Sequence, residues 1–139
     1  GYPSHDAAVQ ILKGQEFVPI NGVNLVVSRE ELVELQKKTN SLSVHDSIFD
    51  YIVTLIEKTR NSEYFALGAS PRGANSLLRM SRAMALLSGR NYVVPDDIEA
   101  VFTAVLGHRV KLSSRARANG FTVDTALEEV RKSVKLPRT

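Results

Sequence analysis

The chain has 139 residues, 43% of them hydrophobic and 24% charged, with no cysteine and a formal net charge of +3. Disulfides, thiolate catalysis and zinc–sulfur sites are therefore excluded, and no apolar run approaches the roughly 20 residues that a membrane span needs. The pI near 9.3 permits contact with anions, but there is no lysine/arginine block of the kind that marks a nucleic-acid arm.

This length and composition suit one soluble globular domain over 1–139 that can bury its own core. The absence of cysteine fits a reducing, cytoplasmic setting. Gly1-Tyr2-Pro3 opens the chain without an initiator Met, a basic start or an apolar signal region, as a piece cut from a longer protein would.

Ser4 predicts a cap on a helix from His5 to about Lys13, with Asp6 in its first turn and Gly14 as its stop. Gln15 to Val27, with Pro19 and Asn21-Gly22, reads as a turn and extended connector. Ser28 and Glu31 form a capping box that opens a helix over Arg29 to about Thr39, with Leu32, Leu35 and Gln36 inward. Leu42 to Val44 suits a scrap of strand. A helix from His45 to Arg60 follows, whose wide apolar face (Ile48, Phe49, Ile52, Val53, Leu55, Ile56) predicts a central position.

Asn61 to Leu67 reads as loop. Ser70 as cap and Pro71 at the first helical position then start a helix running to about Ser88. At 100° per residue, Arg72, Asn75, Arg79 and Arg82 fall on one face, and Leu77, Leu78, Met80, Met84, Ala85 and Leu87 on the other. Arg72 is out of place electrostatically, since the helix dipole is already positive there. It calls for an anionic partner, and a helix start with free N–H groups and a guanidinium suits phosphate. The same arginine row also reads simply as a solvated face.

Tyr92 to Val94 is extended, and Pro95-Asp96-Asp97 starts a helix to about Leu106 with Ile98, Val101, Phe102 and Val105 buried. Gly107-His108-Arg109 ends it, with the His108 ring expected to bond the last-turn carbonyls. Val110 to Leu112 alternates like a short strand that could pair with Tyr92–Val94. Ser113 to Gly120 reads as a polar loop carrying Arg115 and Arg117, and Thr122 caps a last helix that closes at Pro137. The fold class is all-α: a compact bundle of five or six helices with at most a very short β pair.

Chemistry is sparse. There is no G-x-x-x-x-G-K-[ST] and no G-x-G-x-x-G. His5, His45 and His108 are isolated and lack metal spacing, and helix-start electrostatics account for Asp96-Asp97. No nucleophile–base set supports a self-contained enzyme.

Gly68-Ala69-Ser70-Pro71-Arg72-Gly73, Leu77-Leu78-Arg79, the run from Gly89 to Ile98, and Val105-Leu106-Gly107-His108-Arg109 resemble, in order and spacing, the C-terminal lid of MoxR-type AAA+ ATPases. The resemblance covers about 2–112 and is most specific over 68–109. It divides the domain into leading helices and connector from the nucleotide-binding core (1–41), the lid proper (42–112) and a C-terminal loop and helix (113–139).

The resemblance implies a parent that hydrolyses ATP in a homo-oligomeric ring of about six subunits and remodels client proteins, some with von Willebrand A domains. Arg72 matches the sensor 2 arginine that reaches the γ-phosphate, with Ser70 and Pro71 setting its turn. Gly73 stands where the family often has alanine. ATP and Mg2+ would be held by the core, and without Walker A and B the chain alone would be inactive. The alternative, of a different class, is a free-standing basic module that binds DNA or an acidic protein through Arg72, Arg79 and Arg82, assisted by Arg115 and Arg117.

Overall fold

The computed structural model describes residues 1–14 and 23–137, so most of the predicted connector, with Pro19 and Asn21-Gly22, lies outside the described residues. The chain divides into two units, Gly1–Val33 and Glu34–Thr139.

In the first unit, helix α1 spans His5–Leu12, with the Ser4 hydroxyl accepting from the Ala7 amide. Gly14 ends it at φ 68°, a left-handed conformation that glycine adopts without strain. Helix α2 (Arg29–Asn40) starts in the first unit and, from Glu34 on, belongs to the second; the box ahead of it is reciprocal, with Ser28 N–H donating to the Glu31 carboxylate at 2.8 Å and Glu31 N–H to Ser28 Oγ at 3.1 Å. Those bonds hold the Glu31 carboxyl below its ordinary pKa. The expected inward face is not realised, because no residue of α2 is buried and Leu35 is 45% exposed.

The second unit is built on α3 (Asp46–Arg60), α4 (Pro71–Leu87) and α5 (Pro95–Leu106). His45 caps α3, its Nδ1 accepting from Ser47 N–H. The stripe Ile48, Tyr51, Ile52, Leu55, Ile56, Thr59 is buried, which makes α3 central as predicted, while Phe49 and Val53 face outward. Ile98, Phe102 and Leu106 of α5 and Leu77 of α4 complete the interior with Leu127.

The β pair differs from expectation. Phe65–Leu67 (β1), within the predicted loop, pairs antiparallel with Lys111–Leu112 (β2). Tyr92 instead makes a parallel bridge to Ser43, with Ser43 N–H on Asn91 O and Val93 N–H on Ser43 O. The 91–93 backbone is thus satisfied by 43, and 111–112 turns to β1, where Phe65 and Leu112 both enter the core.

The predicted polar loop at 113–120 contains a short helix, α6 (Ser114–Ala118), capped by Ser113 and anchored by buried Ala116. It brings the described helices to seven rather than five or six. Thr122 caps α7 (Val123–Lys132) as expected, though the helix ends well before Pro137. Arg131 ties α7 down through Glu99 of α5 at 2.7 Å and its own Glu128 at 2.5 Å. Tyr51 reaches the same Glu99, and burial first, then that carboxylate, pushes its hydroxyl pKa up to about 12.

Candidate functional site

The start of α4 is held from below by the end of α3. Thr59 Oγ1, fully buried, accepts the Ala69 N–H at 2.9 Å and donates to Ile56 O at 2.7 Å. Arg60 Nε donates to Ala69 O at 2.8 Å. Between them Gly68 lies on the α3 backbone, where an added Cβ would sit 2.6 Å from both Arg60 Cα and Arg60 N. Only glycine allows this approach. These three residues fix the turn, and neither Thr59 nor Arg60 stands out in the sequence as part of a functional site. Thr59 was signalled only as a hydroxyl at a core position of an otherwise apolar stripe.

Ser70 occupies the N-cap with extended backbone, but its hydroxyl makes no capping bond, contrary to expectation. The reason is local. Ser70 O itself accepts from Gly73 N–H at 2.8 Å and from Ala74 N–H at 3.3 Å, so one of the two amides that a cap hydroxyl can serve is already used and the other, on Arg72, is left open. Pro71 sits at the first helical position as predicted.

Arg72 is exposed, and among the described residues neither its guanidinium nor its amide has a hydrogen-bond or ion-pair partner. Gly73 is buried, its Cβ position 3.3 Å from Leu106 Cδ2 and 3.8 Å from Arg109 Cδ. The first turn of α4 therefore rests on the end of α5, and the Arg109 stem runs beside it. Arg109 Nε, rather than His108, bonds the last-turn carbonyl, Val105 O at 3.1 Å.

Along α4 the buried line is Gly73, Leu77, Ser81, Ala85. Ser81 bonds back to Leu77 O, which satisfies its hydroxyl in the core. Met80 at 46% and Leu87 at 82% exposure do not belong to the inner face assigned to them. Asn75 and Arg79 are exposed beyond Arg72, whereas Arg82 is half-buried with its Nε unpartnered. Of the assisting residues, Arg115 pairs loosely with Glu63 at 3.5 Å, and Arg117 is exposed on α6.

Beyond α4, Asp97 does more than favour a helix dipole. It is buried, accepts Val94 N–H at 2.9 Å, and binds Arg90 through both oxygens at 2.6 and 2.7 Å. This bidentate pair closes the Gly89 turn between α4 and α5. Among the described residues no three His, Asp or Glu side chains converge as a metal site would require, and no helix is long and apolar enough to cross a membrane.

Residues 57–130 match the family described as the AAA lid domain. The chain is 36% identical over 138 residues to the uncharacterized protein YeaC of Bacillus subtilis, covering 99% of this chain and 43% of that protein. It is 31% identical over 147 residues to the chaperone MoxR1 of Mycobacterium tuberculosis, covering 99% of this chain and 39% of that one. A crystal structure of a candidate ATPase from Cytophaga hutchinsonii superposes with a TM-score of 0.79 at 26% identity, over 99% of this chain and 45% of that one. The chain thus spans less than half the length of these relatives.

Proposed function

Because the chain belongs to the AAA lid domain family, in its MoxR-like branch, we propose that it closes over ATP bound by a nucleotide-binding core, with Arg72 as the sensor 2 residue. The observation that carries this reading is the start of α4. A guanidinium and a backbone amide at one residue, both without a partner among the described residues and on a helix end whose dipole is positive, fit the anionic end of a nucleotide.

Arg72 would bear on the terminal phosphate and stabilise charge that develops there. Ser70 and Pro71 shape the turn, and Gly73 seats it against Leu106. Mg2+ and the attacking water belong to the core's chemistry. In this reading the parent acts in the cytoplasm as a homo-oligomeric, hexameric ring that couples ATP hydrolysis to chaperone-like remodelling of client proteins, including ones with von Willebrand A domains. MoxR1 carries the name chaperone, which supports that extension. The DNA-binding alternative is weaker, since Arg82 is half-buried and Arg115 is paired.

Arg72→Ala in the intact parent is expected to lower ATP turnover about tenfold or more and leave the melting temperature unchanged, because the side chain is exposed and has no hydrogen-bond or ion-pair partner among the described residues. Unchanged turnover would refute the assignment.

A further inference from the structure

Between the C-terminal half of α2 and the helices α4 and α5 lies an open cleft of about 740 Å3. Its floor is apolar, made by Met80, Ala83, Val101 and Val105, and α2 contributes Gln36, Thr39 and Asn40 as a polar wall. Among the described residues, the charged side chains that line it are Arg79 and Arg109, joined by His108, and no carboxylate does. Among the described residues neither arginine enters an ion pair, and Arg109 commits only its Nε, to Val105 O. Arg90 and Arg131, by contrast, are neutralised within the fold.

We propose that this cleft is a docking groove for an acidic, partly apolar peptide segment of another protein. Two arginines over a lining that, among the described residues, holds no carboxylate and gives them no ion pair set the sign of the partner. The apolar floor selects peptide over nucleic acid, because a phosphate backbone makes no use of Met80, Val101 and Val105, whereas alternate apolar side chains of a peptide do. Met80, half exposed and flexible, can repack around different side chains. The amides of Gln36 and Asn40 offer both donors and acceptors to a peptide main chain. Arg72 does not line the cleft, although the Arg109 stem passes beside its turn, so ATP competition separates this inference from the nucleotide reading.

The test is fluorescence anisotropy on this chain with a short labelled peptide alternating Glu with Leu and Phe. Its controls are the same peptide with Lys for Glu, the same with Ser for Leu and Phe, a DNA duplex, and ATP as competitor. Binding of the acidic–apolar peptide alone is expected, weakened about fivefold by Arg79→Glu and also by Met80→Ser. Both positions are exposed, and circular dichroism verifies that each variant keeps its helices. The proposal is overturned by absence of peptide binding, by equal binding of the lysine or serine peptide, or by affinity insensitive to both substitutions. Displacement by ATP, or a duplex that binds through the same residues, overturns it as well.

Discussion

Replacing Thr59 with valine keeps the side-chain shape and removes one hydroxyl from the joint beneath α4. Ile56 O retains its place in the α3 ladder, so the group left stranded is the Ala69 N–H, at a residue only 1% exposed. A buried amide without a partner costs about 1–3 kcal/mol, and the added methyl returns less than about 1 kcal/mol. The net loss is about 1–2 kcal/mol, which at a urea slope of about 2 kcal/mol/M lowers the midpoint by about 0.5–1 M. Amide hydrogen exchange separates the cause from general loosening. The Ala69 amide should exchange about tenfold faster or more in Thr59→Val, yet stay protected in Thr59→Ser, which keeps the hydroxyl and loses only a methyl. Equal Ala69 protection in wild type and Thr59→Val would refute the hydrogen-bond account.

Gly68→Ala places a Cβ against Arg60 backbone atoms that cannot move aside, so a loss of about 1–3 kcal/mol is expected; an unchanged calorimetric Tm would contradict that packing. Asp97→Asn leaves the Arg90 guanidinium uncompensated and weakens the Val94 cap. With Arg90 a quarter exposed, the cost is about 2 kcal/mol, less than for a wholly interior pair, and a double-mutant cycle with Arg90→Ala should recover most of it as coupling. For Tyr51, whose pKa is raised from 10.0 to about 12, the unfolded chain ionises first as pH climbs. The stabilising contribution is therefore complete below pH 10 and is lost between pH 10 and 12. Tyr51→Phe should lose less stability than wild type across that window, and parallel curves would refute the raised Tyr51 pKa.

Helix starts were legible because capping is chemistry within four residues: Ser4, the Ser28–Glu31 box, Thr122, and Pro71 and Pro95 at first helical positions all stand as read. Partners distant in sequence were not. Lys111–Leu112 could have joined any extended neighbour, and nothing local distinguishes Phe65–Leu67 from Tyr92–Val94. The α6 helix hid because one buried alanine, Ala116, carries its attachment. At the candidate site, the anomaly of a cation in the first turn singles out Arg72 without coordinates. The silent Ser70 hydroxyl and the Thr59–Ala69 bond do not show in sequence, since the first depends on the Gly73 amide meeting the Ser70 carbonyl and the second on a contact across ten residues that only the fold makes.

The way this turn is fastened also has a mechanical side. Ala69 is held at both its N–H and its C=O by adjacent residues of α3, and Gly68 lies flush on the same backbone. A pull exerted at the tip of Arg72 would not be absorbed by a slack hinge. It would pass into α3 through both polar groups of Ala69 and into α5 where Gly73 rests on Leu106.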